Sequence, residues 1–202
     1  MPHKPDTPNP PPADVDPAML TIVHYPADVL RRKAANIDAD PAAIAPIVAA
    51  AEKMIQLMRD APGIGLAAPQ VGLSWRLFVA DVPADDERNL DTDSAIQTAT
   101  DGPEIYINPV LSRPQGDREF MEEGCLSLPG VFGDVARPPT ITMAYTDRNG
   151  DRITRKATGL LARCWQHEAD HLDGVLILDR MTKPDRLRIR TKLEKLENAA
   201  IK

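Results

Sequence analysis

Gln166-His167-Glu168-Ala169-Asp170-His171 lies inside the run 159–173, and the reading of that run decides the fold. Leu160, Cys164, His167 and His171 recur at helical spacing on one stripe. Gly174 follows at the position where a helix ends in a left-handed residue. Residues i and i+4 of a helix share a face, so His167 and His171 can reach one metal ion. Glu168 projects beside that ion, where it can take a proton from a water that the metal activates. The chain has 202 residues but only four histidines and two cysteines, so two histidines within one turn are informative. The plain alternative is a pair of core histidines on an amphipathic helix.

A catalytic metal site commonly takes three protein ligands and keeps one position open. The residues leave the third ligand unsettled. One protease pattern continues with Gly and then His, but here Gly174 is followed by Ile177 at the His position. Another pattern takes a Glu from a later helix. Glu194 has a suitable separation, but Lys192-Leu193-Glu194-Lys195-Leu196-Glu197 reads as a solvated face. Cys164, one turn before His167, reads as a small core residue. Cys125 stands in Glu123-Gly124-Cys125-Leu126-Ser127, on a tight turn from which a thiolate can approach the helix across a cleft. A third segment, Gly63-Ile64-Gly65-Leu66-Ala67-Ala68-Pro69-Gln70, lets backbone come close to a ligand. It lacks the third Gly of a dinucleotide loop and the Lys-Ser/Thr of a P-loop. Gln70 can donate a side-chain N–H to a developing oxyanion.

The remaining chain frames these motifs. The length fits one good-sized domain, read over 19–182, with enough residues for a core without disulfides. Residues 1–18 form an arm with seven prolines before residue 18, too poor in apolar residues to order itself. The arm has no apolar core of a secretory signal and is acidic, unlike a transit peptide. A helix is expected over 40–60, opened by Asp40-Pro41, with Ile47, Ala51, Met54, Ile55 and Met58 inward. Pro46 requires that helix to start near it or bend there. Residues 76–82 read as a buried strand, and shorter strands are expected at 105–108, 119–121 and 140–146. Asn149-Gly150 marks a hairpin. Residues 84–104 hold seven acids and one base, a charge equal to the whole chain's -6, and read as an exposed acidic insertion. Pro184 opens a charged helix over 183–202. From 180 onward there are eight bases and three acids.

The acidic total and pI near 5.2 argue against a general nucleic-acid binder, and no DNA partner is expected. No stretch of 18 uncharged apolar residues exists, so no membrane helix is expected. With two cysteines and no secretory signal, a reducing cytoplasm is the simpler setting.

Together the motifs resemble those of peptide deformylases. Gly63–Gln70, Glu123–Ser127 and Gln166–His171 match three motifs of that family, in order. The resemblance runs from about residue 20 to about residue 185. It implies an α+β fold, with antiparallel sheets around a central metal-binding helix. It implies hydrolysis of the N-formyl group from formyl-methionyl nascent peptides. The metal would be one divalent ion, in this family usually ferrous iron (Fe2+), held by Cys125, His167 and His171. A mixed N/S site also accepts Zn2+, Ni2+ or Co2+. Glu168 would be the general acid/base, and Gln70 and the Leu126 N–H would polarise the formyl oxygen. Ile64 and Gly65 would pair with the peptide backbone. The basic C-terminal helix would face the ribosome. Asp170 would brace a loop or stay solvated, and Arg137 would mark a strand entry near substrate. The competing readings are a zinc endopeptidase with Glu194 as third ligand, and a non-catalytic metal clip.

Overall fold

The computed structural model describes residues 15–38, 44–84 and 96–200. The Pro-rich run to residue 14, the Asp40-Pro41 signal and acids 85–95 lie outside them. Seven strands are present among these residues: β1 (Gly65–Ala67), β2 (Leu77–Ala80), β3 (Glu104–Gln115), β4 (Glu119–Cys125), β5 (Leu128–Arg137), β6 (Thr140–Thr146) and β7 (Arg152–Thr158). Five of them form one antiparallel sheet in the order β1-β2-β3-β6-β7, while β4 and β5 make a separate hairpin.

β2 is covered on both faces, which is why its run is apolar without alternation. Leu77 and Val79 pack with α1 (Ile44–Asp60), where Ile47, Met54 and Met58 are fully buried. Phe78 and Ala80 pack with α2 (Gly159–Leu172). Pro46 sits in the first turn of α1, where a missing N–H breaks no helical bond, so the helix starts there rather than bending.

α2 is the central helix, held between the large sheet and the β4–β5 hairpin. Trp165 meets Tyr106 edge-on at 5.8 Å, and Tyr106 stacks on Phe78 at 4.6 Å. Such pairs contribute about 0.5–1.5 kcal/mol each beyond burial. The helix ends in a Schellman motif: Gly174 N–H donates to the His171 carbonyl and Val175 N–H to the Asp170 carbonyl. Gly174 has φ +72, and a Cβ there would stand 2.6 Å from the Arg31 carbonyl oxygen. Both conformation and space therefore demand glycine. The fold is α+β around this helix, as the resemblance implies.

Several boundaries differ from the sequence reading. Residues 15–18 of the arm are held: Val15 packs on the core, and Asp16 caps a short 3-10 turn over Pro17–Met19. Residues 96–104 of the acidic stretch are tied to the sheet, because Thr158 N–H donates to the Gln97 carbonyl and Glu104 already opens β3. β3 continues past Asn108, whose positive φ of 48 kinks it while its amide bonds both N–H and C=O of Ile37. The Asn149-Gly150 hairpin is a wider loop, 147–151. Of that pair only Gly150 takes positive φ, and Asp147 Oδ1 accepts from the N–H groups of Asn149 and Asp151. The charged C-terminal helix is two pieces after α3 (Ile177–Arg180). These are α4 (Lys183–Arg188) and α5 (Arg190–Ala200), joined at the buried Ile189.

Candidate metal centre

Two turns of chain and one helix meet beside β1. The first turn is the 3-10 segment Ala68–Val71, which carries Gln70 and is closed by Gly72. The second joins β4 to β5 and carries Cys125, Leu126 and Ser127. The segment before α1 ties them together, with Val23 N–H donating to the Gln70 carbonyl and Tyr25 N–H to the Ser127 carbonyl.

The ligand atoms of Cys125, His167 and His171 all lie within 4.8 Å of one another. Cys125 Sγ and His171 Nε2 are 3.2 Å apart. His167 Nδ1 lies 3.0 Å from Glu123 Oε2. An ionised Glu123 can only accept, so this contact places a proton on Nδ1 and turns Nε2 toward Cys125. Burial lowers His167, but the hydrogen bonds to Cys125 and Glu123 outweigh it and push the ring well up, so a metal ion would displace a proton from Nε2. Burial pushes His171 well down, which keeps its imidazole neutral. A thiol and two imidazoles converging in this way suit a borderline divalent ion. The donor set and the proton held on Nδ1 therefore fit a metal.

Glu123 is held with unusual force. Arg137 forks onto both its oxygens at 2.7 and 3.0 Å, and Arg163 reaches Oε1 at 2.8 Å. Burial raises this carboxyl, but the hydrogen bonds from His167 and Arg137 outweigh it and hold Glu123 far below the usual carboxylate range.

Glu168 is 4% exposed, and its Oε2 has no hydrogen-bond partner. Burial pushes its carboxyl up to about 7, against the charges of His167 and Arg137. Gln70 Oε1 accepts from Ala67 N–H at 2.8 Å, which fixes the amide so that Nε2 points inward. Nε2 reaches Cys125 Sγ at 3.5 Å, an ordinary length for sulfur, and Ser127 Oγ at a longer 3.3 Å. These groups share one open cavity of about 360 Å3, lined also by Ile64, Gly65, Leu126 and Phe132. That size is typical of a small-ligand site. Asp81 N–H donates to the Ile64 carbonyl, so the alternation of a strand turns the polar groups of Gly65 toward the unpaired edge of β1.

The polypeptide deformylase family model matches residues 19–187. The chain belongs to the peptide deformylase family. It is 44% identical to the peptide deformylase of Chlorobium luteolum, over 87% of this chain and 85% of that one. It is 42% identical to that of Stenotrophomonas maltophilia, over 88% and 96%. Among solved structures, the enzyme of Ehrlichia chaffeensis superposes with a TM-score of 0.76 at 34% identity, covering 91% of this chain and 99% of that one. That of Synechococcus elongatus, solved with actinonin, gives 0.72 at 38%, covering 88% and 86%. The family is metal-dependent and removes the N-formyl group from nascent peptides; this chain is a hydrolase of that reaction.

The alternatives separate here. Glu194 is half-exposed on α5, where it pairs with Arg190, and takes no part in the ligand cluster. Cys164 lines the cavity, but burial pushes its thiol well up, away from the thiolate that a ligand must be. Arg137 does not line the metal cleft; it is buried between Glu123 and Asp170. Asp170 is the brace, accepting from both Arg137 and Arg180. Arg163 carried no sequence signal, because a buried arginine inside an apolar helical stripe looks like a solvated one.

Proposed function

We propose that deformylation occurs at the Cys125–His167–His171 centre, with Glu168 carrying the proton and Gln70 and the Leu126 N–H facing the formyl oxygen. The observation that carries this reading is the unpartnered, buried Glu168 oxygen in the cavity that Cys125 and His167 line, with the His171 ligand atom converging on theirs. Cys125, His167 and His171 would hold one divalent ion, Fe2+ in the native protein, with Zn2+, Ni2+ or Co2+ compatible with the same donors. When bound it supplies Lewis acidity to the reacting carbonyl and water.

The residues do the rest. The peptide backbone lies along the free edge of β1 at Ile64 and Gly65. Water oxygen bonds to the formyl carbon while Glu168 takes its proton. Negative charge grows on the formyl oxygen, where the Gln70 amide and the Leu126 N–H donate. The C–N bond then breaks, and Glu168 returns the proton to the departing amine, releasing formate and a free methionyl terminus. A carboxyl near 7 suits both directions of transfer.

The setting proposed is the cytoplasm, where nascent chains emerge; no helix among the described residues is long and apolar enough to cross a membrane. The C-terminal helices are proposed to face the ribosome. Lys183, Arg186, Arg190 and Arg31 line one cavity with Leu187, which is 74% exposed, against the single acid Asp179, and a basic surplus of this kind favours RNA. Reversing Arg186 and Arg190 to Glu should abolish salt-sensitive ribosome pelleting; unchanged pelleting overturns the contact. The activity itself is tested by formate release from formyl-Met-Ala-Ser, together with metal analysis of anaerobically purified protein. Full metal occupancy without formate release overturns it.

A further inference from the structure

Phe132 and Glu122 each line two cavities. One is the metal cleft. The other, of about 390 Å3, lies between the β4–β5 hairpin and the C-terminal helices and is walled by Arg188, Lys192 and Lys195. Phe132 and Glu122 therefore form a rim common to the cleft and a cationic wall. Phe132 is 51% exposed, and its ring lies against Gly124, where a Cβ would stand 2.6 Å from it. Gly124 immediately precedes the ligand Cys125. A chain that left the metal along this bank would have to cross the ring to meet the wall.

Arg188, Lys192 and Lys195 sit at i, i+4 and i+7, one stripe of a helix. Ile189, between α4 and α5, keeps near-helical angles, so the stripe runs through the break. Their charges are unequally used. Arg188 pairs with Asp185. Lys192 Nζ donates to the Gly130 carbonyl, a neutral partner. Lys195 makes no ion pair among the described residues, and neither does Glu122, the one acid of this cavity. The wall thus keeps a surplus of positive charge facing the path of a peptide. It is a different stripe from Lys183, Arg186 and Arg190.

We infer that this wall is a downstream subsite of the deformylase reading, taking acidic side chains at the third to fifth residues of the formyl-peptide against Lys192 and Lys195. An extended peptide advances about 3.3 Å per residue, so these residues are the first to pass beyond the cleft. Exposed charge pairs are individually weak and screened by salt, so the preference is modest and ionic-strength dependent.

The test compares formyl-Met-Ala-Glu-Glu with formyl-Met-Ala-Lys-Lys in one protein, so that the fraction of active enzyme cancels. The wild-type ratio of kcat/KM should favour the acidic peptide about fivefold at low salt, lie mostly in KM, and shrink toward one at high salt. Lys192→Glu with Lys195→Glu should invert it; Lys192→Gln with Lys195→Gln should bring it near one. A wild-type ratio of one, or a ratio that ignores both double variants, overturns the subsite. A ratio of one combined with ribosome pelleting lost in the Lys192→Glu, Lys195→Glu protein assigns the stripe to RNA and overturns it likewise. Hydrolysis of neither peptide overturns the deformylase reading and the subsite with it.

Discussion

A Cβ on Gly65 would stand 2.4 Å from Glu168 Oε1 and 2.8 Å from Cys164 Sγ. The glycine leaves room for Glu168, the proposed proton carrier, since its φ lies outside the left-handed region. Gly65→Ala should therefore fold and keep its metal while Glu168 is pushed aside. Misplacement of a reacting group by about 1 Å can cost about 10²-fold, so kcat for formyl-Met-Ala-Ser should fall by roughly that factor. Wild-type kcat in the alanine variant would overturn this account.

Glu168 itself separates an enzyme from a metal clip. Its Oε2 bonds nothing, so Glu168→Gln removes proton transfer without unpairing a neighbour. General acid–base catalysis contributes about 10²–10⁴-fold. Turnover should drop within that range with metal stoichiometry unchanged, read by formate release and metal analysis. Full activity would assign the proton to another group.

The two arginines on Glu123 make a different forecast. Glu123→Gln leaves Arg137 and Arg163, both nearly fully buried, without their shared charge. Breaking a buried pair from one side costs about 3–5 kcal/mol. It also leaves one neutral oxygen for His167 Nδ1 and the two arginines to share, and weakening of such a supporting contact lowers metal affinity about 10–100-fold. Denaturant unfolding of the metal-free variant reads the first effect, and chelator competition reads the second. Unchanged affinity with lowered stability would limit Glu123 to a structural role.

What the sequence made legible follows from range. His167, Glu168 and His171 are joined by helical period, and β2 and α1 by apolar pattern, all local signals. The Cys125 turn could be suspected but not placed, because its approach to α2 depends on the β4–β5 pairing. β5 left no pattern: Pro129, Gly130 and Gly133 interrupt it, and the inward Arg137 reads as polar. The support of Glu123 by Arg163 spans 40 residues, and a buried ion pair has no local signature. The break at Ile189 escaped for a related reason, since its cause is tertiary: the residue is buried with Leu128 and Val131 under the hairpin.

Acid should probe the C-terminal helices through Asp185. The hydrogen bond from Thr182 Oγ1, then that from Asp134 N–H and the charge of Arg188, lower its carboxyl below the ordinary 3.8. A depressed folded value contributes stability that is present above the ordinary value and lost as pH falls through the folded one. Urea midpoints of wild type and Asp185→Asn should differ at pH 6 and converge below about pH 4. A gap that persists unchanged into acid would mean that packing against Gly133, rather than charge, accounts for the residue's contribution.

Gln70 gives the sharpest division between binding and catalysis. Its Oε1 is committed to Ala67 N–H, while Nε2 spends its two protons on weak acceptors, the Cys125 sulfur and a 3.3 Å contact to Ser127 Oγ, which a developing oxyanion can replace. Gln70→Glu keeps the acceptor for Ala67 and loses the donor; Gln70→Ala loses both and leaves a buried N–H unpaired, at about 1–3 kcal/mol of stability. Loss of one oxyanion donor costs about 10²–10³ in rate. Both variants should therefore lose kcat by that factor, and only the alanine should also unfold earlier. An interaction formed mainly in the transition state leaves KM little changed. A rise in KM at constant kcat would show instead that Gln70 grips the ground-state peptide, and the oxyanion would then rest on the Leu126 N–H.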